Sequence, residues 1–215
     1  MEEFEKRKQE IHVYIEFLNF TESSPEIFEN AARDVNNLKL LRKVLLANTY
    51  LLMYNLVESS IRNSIQEIYD HFQQESVSFD NLPNRLKEII LKNLKQHNSS
   101  KFIQGINNLA TDVVHKTFDS EKIASGNLDA KEIRRIAKQY GFSCDTEYDT
   151  CKNGTKLLEV KNKRNDLAHG ILSFSECGKD ISVTDINEAF AEVSAYLFTI
   201  INNVKKYIDD KNYLV

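Results

Sequence analysis

Val44-Leu-Leu-Ala-Asn-Thr-Tyr-Leu-Leu-Met-Tyr-Asn-Leu-Val57 decides the fold. It is apolar nearly all round a helix, and it lies inside a segment, Asn36 to about Gln74, that contains neither glycine nor proline. A helix that is hydrophobic on every side is covered on every side. The segment is therefore expected to be the longest helix and to stand at the centre of a bundle. Asn48, Thr49 and Asn55 interrupt the apolar run, which falls short of the ~20 residues of a membrane span. With only 6 Gly and 2 Pro in 215 residues, tight turns are few and long helices are favoured. The expected fold class is all-α.

Working outward, Phe4, Ile11, Ile15 and Leu18 recur at helical spacing among charges between Glu2 and Phe20, which predicts an exposed first helix with one packed stripe. Thr21 to Pro25 should interrupt it, and Ile27 to Val35 should resume it. Beyond the long helix, Ser78 to Pro83 predicts a loop, with Pro83 near the first turn of a helix reaching about Gln96. Asn98 or Ser99 can cap a further helix to about Phe118. Asp129 caps a short helix ending at Gly141, whose Lys131, Arg134, Arg135 and Lys138 make a basic face. Ser143 to Gly154 predicts a loop. Two short alternating runs in Ile171–Val183 suggest a small β-hairpin. Thr184 or Asp185 opens a last helix with Ile186, Phe190, Val193, Leu197, Ile200, Val204 and Ile208 on one stripe. The length fits a single domain, 1–215, on which residues 1–35 pack as a helical extension.

The net charge of −4 argues against a general nucleic-acid coat, because nonspecific affinity rests on neutralising phosphates. No apolar signal sequence precedes the charged N-terminus, and the 3 cysteines, Cys144, Cys151 and Cys177, lack metal-finger spacing. A cytoplasmic protein with free thiols is expected. Cys144 and Cys151 with His169 would make a poor zinc site, since six intervening residues are wide for a metal knuckle. His71, His97 and His115 sit among polar neighbours and are expected to be solvated or capping. No bound metal or other cofactor is implied.

Chemistry shows in one place, Lys163-Arg164-Asn165-Asp166-Leu167-Ala168-His169-Gly170. Drawn as a helix, Leu157, Val160, Leu167, Ala168 and Ile171 share a face with Arg164 near its middle. An arginine keeps its charge, so on an apolar face it must meet a carboxylate, a polar cleft or an anionic ligand. Lys161, Asn165 and His169 line the adjacent polar flank, and Gly170 offers a left-handed residue to end the helix. A cation, an amide and an imidazole are groups that can hold and cleave a phosphodiester. The same residues also fit a helix end in which Arg164 pairs with a carboxylate and His169 caps carbonyls. Glu58 and Arg62, one turn apart, are either a surface pair or supports for Arg164 and His169.

Arg164-Asn165-x-x-x-His169 resembles the R-x4-H motif of HEPN ribonucleases, including the polar residue after the arginine. From Leu38 onward the chain is similar to the MAE-type HEPN-like nucleases: Asn48 to Asn63, Ser125-Gly-Asn-Leu-Asp-Ala-Lys-Glu-Ile-Arg134, Lys163 to Gly170, and Phe174-Ser-Glu176. The resemblance implies a HEPN-like bundle, a homodimer, and a metal-independent endoribonuclease with Arg164, Asn165 and His169 catalytic. Independently of it, Lys156, Lys161 and Lys163 with Arg164 make a local basic site around the motif, in which Lys161 and Lys163 are expected on the RNA. It also implies a toxin or defence role beside a separately encoded defence or antitoxin partner. HEPN toxins paired with a nucleotidyltransferase usually carry a tyrosine two places after the histidine; Ile171 stands there, so control by tyrosine modification is not expected. The other class left open is a HEPN-like dimerisation or nucleotide-binding module without cleavage.

Overall fold

The computed structural model describes residues 1–24, 26, 35–96, 109–117, 123 and 126–215. Among them there is no strand, and the elements are helices: α1 (Glu2–Ser23), α2 (Val35–Gln74), α3 (Asn84–Gln96), α4 (Leu109–Lys116), α5 (Ala130–Tyr140), α6 (Tyr148–Cys151), α7 (Thr155–Ala168), α8 (Phe174–Cys177) and α9 (Val183–Asp209). The chain divides into two compact units, both discontinuous in sequence. Helices α2 and α9 contribute to both, changing unit after Ser59 and after Leu197.

The first unit comprises Met1–Ser59, Gly126–Ala130 and Glu147–Leu197. Helix α1 begins with Glu2, Glu3 and Glu5, whose charges suit the positive end of its dipole. It buries Phe4, Ile11, Ile15 and Leu18, the stripe expected from spacing. The Tyr14 hydroxyl ties it to α2 by donating to the Leu45 carbonyl at 2.9 Å. In α2, Leu46, Ala47, Tyr50, Met53, Tyr54, Leu56 and Val57 are buried. Ala47 packs with Leu167 of α7 and Cys177 of α8, and Leu51, Leu172, Phe174 and Ile181 close around them.

Tyr50 donates to Glu159 of α7 at 2.7 Å, and Lys156 pairs with the same carboxylate at 2.9 Å. Burial pushes the Glu159 carboxyl up, but the bonds from Lys156 and Tyr50 outweigh it and hold the group below its ordinary value. Such a depressed pKa contributes stability that is complete above the unfolded-state pKa and is lost as pH falls through the folded-state one. Glu159→Gln is therefore expected to lower the melting midpoint at neutral pH and to flatten its fall below about pH 4. Parallel midpoint-against-pH curves for the two proteins would exclude this role.

The second unit comprises Ser60–Ser125, Lys131–Thr146 and Phe198–Val215. Ile61, Ile65, Ile68 and Phe72 of α2 are buried in it with Leu82, Leu86 and Ile90. The Tyr207 hydroxyl donates to the Tyr140 carbonyl at 2.7 Å, and Arg85 spans the Tyr140 and Asn212 carbonyls. Half-buried His71 bonds Tyr213 at 2.8 Å rather than standing in solvent. On α5 the four basic residues expected on one face are exposed, with Arg135 held by Glu132.

Three expectations change. The hairpin is replaced by α8, because Ser173 and Glu176 form a capping box that starts a helical turn. The loop before the motif contains α6 and a 3-10 turn, Lys152–Gly154. The last helix starts at Val183, with Ser182 and Asp185 bonding reciprocally across its first turn. Ile27 to Asp34, His97, the Asn98 or Ser99 cap, Phe118 and the side chain of His115 lie outside the described residues.

Candidate functional site

Helix α7 ends as its sequence requires. The Ile171 N–H reaches the Asp166 carbonyl at 2.8 Å and the Gly170 N–H reaches Leu167 at 3.2 Å, with Gly170 at φ +67°. This is a Schellman closure, which glycine enters without a Cβ clash. His169 is the C-cap residue and is exposed. Leu157, Val160 and Leu167 are buried as expected, whereas Ala168 is exposed and Ile171 is 67% exposed. The reason is that the chain leaves the helix at Gly170, so Ile171 never completes the apolar face.

Arg164 is half-buried, and its environment is specific. Its guanidinium carbon lies 4.6 Å from the ring centroid of Tyr54 on α2. One terminal nitrogen donates to the Asn165 side-chain oxygen at 3.0 Å and to the Gly126 carbonyl at 3.5 Å. Gly126, at φ +78°, leaves room for this approach: a Cβ there would stand 3.2 Å from the guanidinium. Among the described residues no carboxylate pairs with Arg164, as the helix-end alternative considered from the sequence would require. Its charge meets neutral acceptors and an aromatic face.

The turn Gly126-Asn127-Leu128-Asp129 is fastened to α7 and α2 by polar bonds. The Asn165 amide donates to Asn127 at 3.3 Å, and Lys161 pairs with Asp129 at 2.6 Å with both side chains largely buried. The buried Leu128 N–H donates to the Tyr54 hydroxyl at 3.1 Å. Burial, offset in part by that N–H, lifts the Tyr54 phenol above its ordinary pKa, and the nearby Glu58 carboxylate adds to the lift. Lys161, expected on RNA, is thus engaged in a structural pair. Lys163 is half-buried; it adds to the depression of the Glu159 carboxyl and offsets part of the rise that burial gives the Cys177 thiol. Glu58 lies within electrostatic reach of the Tyr54 that carries Arg164, while Arg62 belongs to the second unit. The His169 imidazole makes no hydrogen bond among the described residues.

Tyr54, Gly126 and Asn127 were not singled out as site residues from sequence, although each lies in a stretch that carries the family resemblance. Tyr54 can be tested in two steps. Tyr54→Phe keeps the ring under Arg164 but strands the buried Leu128 N–H, an expected loss of about 1–3 kcal/mol in urea unfolding. Tyr54→Leu removes the ring as well, and with it a cation–π contact of about 1–2 kcal/mol. Equal unfolding midpoints for wild type and Tyr54→Phe would show that the hydroxyl does not support this turn.

None of the three cysteines is in a disulfide, and Cys151 and Cys177 are buried. No group of three or more His, Cys, Asp or Glu among the described residues is placed to hold a metal. No described helix is long and apolar enough to cross a membrane.

Residues 1–213 match the family described as "HEPN_MAE_28990:/-like HEPN". The chain belongs to this HEPN family. The all-α structure agrees with membership, and the protein is accordingly a HEPN-like nuclease or a related HEPN module. No curated protein and no solved structure matches the chain.

Proposed function

We propose that this HEPN protein is a metal-independent endoribonuclease that cleaves RNA by attack of a ribose 2′-hydroxyl. Arg164 binds and neutralises the scissile phosphate, Asn165 orients the guanidinium and the phosphate, and His169 transfers protons. The observation that carries this reading is the Arg164 guanidinium: half-buried, held on Tyr54, and without a carboxylate among the described residues. A permanent cation so placed favours an anion beside it. The exposed His169 leaves its imidazole open to substrate. The test is RNA cleavage in a chelator by wild type against His169→Ala.

The cleft is composite in this proposal. Five residues of helix separate Arg164 from His169 by about 140° around the axis, so one copy presents them poorly to a single phosphate. A two-fold axis beside α7 would bring two sets to one groove. Light scattering at micromolar concentration is expected to show a dimer, and a monomer with or without RNA excludes this arrangement. Family membership favours a toxin or defence effector acting in the cytoplasm beside a separately encoded partner.

The second reading, a non-catalytic dimerisation or nucleotide-binding module, draws on the bonds that Arg164 and Asn165 make to Gly126 and Asn127. Those bonds give both residues a structural use. They give none to His169, which is why its substitution discriminates.

A further inference from the structure

A second basic site lies in the first unit, apart from the motif. A cavity of about 310 Å³ is lined by Lys39, Arg42 and Lys43 of α2, by Lys179, and by Ser182 at the start of α9. Glu22 of α1 is the acidic residue in its lining and is bonded to Arg42. Lys39, Lys43 and Lys179 make no ion pair among the described residues. Like charges gathered in a concavity raise the local concentration of an opposite charge, and here no carboxylate among the described residues pairs with the three ammonium groups.

The position of the cavity relates it to Arg164. Lys43, Ala47, Tyr50 and Tyr54 are spaced four, three and four residues apart, so they share one face of α2. That face meets α7: Ala47 packs on Leu167, Tyr50 bonds Glu159, and Tyr54 carries Arg164. Lys43 stands at the other end of this face, about 16 Å along the axis from Tyr54 at 1.5 Å per residue. The Gly178 backbone lies so close to the Lys43 carbonyl that a Cβ there would collide with it. This contact brings Lys179 beside Lys43. Burial raises the Cys177 thiol next to Gly178, and the Lys163 charge offsets part of that rise, so this cation of α7 acts on the same neighbourhood.

We infer that the cavity binds backbone phosphates of the single-stranded RNA whose scissile phosphate sits at Arg164, a few nucleotides along the strand. The inference rests on the ribonuclease reading and extends it to the substrate's path. Among the described residues the lining has no aromatic side chain on which a base could stack and no side-chain amide to read a base edge. It therefore recognises phosphate charge and is indifferent to sequence, which suits a strand passing through more than a nucleotide held by its base.

The test uses the full chain carrying His169→Ala, which should bind RNA without cutting it. Its affinity for a fluorescein-labelled single-stranded RNA is compared with that of the same protein carrying Lys39→Gln, Lys43→Gln and Lys179→Gln. Glutamine keeps much of each stem, and circular dichroism checks the fold. Loss of three phosphate contacts is expected to weaken binding on the order of tenfold at low salt and to reduce the salt slope by about 2, at 0.7 per contact. On an otherwise wild-type background the three substitutions should slow cleavage of a long RNA and leave a dinucleotide substrate unaffected. Unchanged affinity and salt slope overturn the inference. So does loss of binding to ATP alone with RNA binding intact, which would assign the cavity to a free nucleotide. RNA binding that needs the lysines in a wild type that cuts nothing would uphold the cavity and reject cleavage.

Discussion

His169→Ala is expected to reduce RNA cleavage by about 10²–10⁴-fold, the usual contribution of a positioned proton-transfer group, with no matching loss of stability. The two effects separate because of where the residue sits. His169 is exposed at the C-cap, its backbone closes α7, and its imidazole has no partner among the described residues. Surface substitutions of that kind usually change stability by less than about 0.5 kcal/mol. Arg164→Ala should lose as much activity or more, but it also removes the stack on Tyr54 and the bonds to Gly126 and Asn165. A fall in its unfolding midpoint is therefore expected alongside. Arg164→Lys keeps the charge and loses the planar fork and the stack, so partial activity there would identify charge as the main requirement. Full activity in both alanine proteins would show that the cleavage belongs to a contaminant, and would favour the module without catalysis.

The helical elements were legible because their signal is local. The stripe Phe4, Ile11, Ile15, Leu18 and the glycine-free span of α2 follow from periodicity and from the absence of breakers, and Gly170 marked the end of α7. Ile171–Val183 misled because two rules competed over few residues. Alternation favoured strands, while Ser173 with Glu176 and Ser182 with Asp185 are caps at helical spacing, and the caps won. The surroundings of the motif were not legible because they come from far along the chain. Nothing near Arg164 in sequence reveals that Tyr54 lies beneath it or that the turn at Gly126 receives it. The Asp129 partner of Lys161 likewise lies 32 residues away in sequence. The basic cavity is assembled from two helices and the Lys179–Ser182 link, each unremarkable in charge along the sequence.

A single 2′-deoxy substitution at the cut site is expected to abolish scission there, and the DNA oligonucleotide of matching sequence should remain intact. The groups offered at the end of α7 are a guanidinium, an amide and an imidazole. A guanidinium can stabilise charge developing on a phosphate and an imidazole can accept and return a proton, but neither supplies the attacking oxygen. Among the described residues no acidic group of three or more is assembled with them to hold Mg²⁺ and activate water. In the proposed reaction the nucleophile is the substrate's own 2′-hydroxyl. Its attack forms the 2′-oxygen–phosphorus bond, breaks the bond to the 5′-oxygen, and passes one proton from the 2′-oxygen to the leaving group. The expected products are a 2′,3′-cyclic phosphate and a 5′-hydroxyl, and cleavage should persist in EDTA. Mass spectrometry of the fragments decides the matter: 3′-hydroxyl and 5′-phosphate ends, or a strict requirement for added Mg²⁺, would mean that water attacks instead and that His169 does not have the role assigned to it.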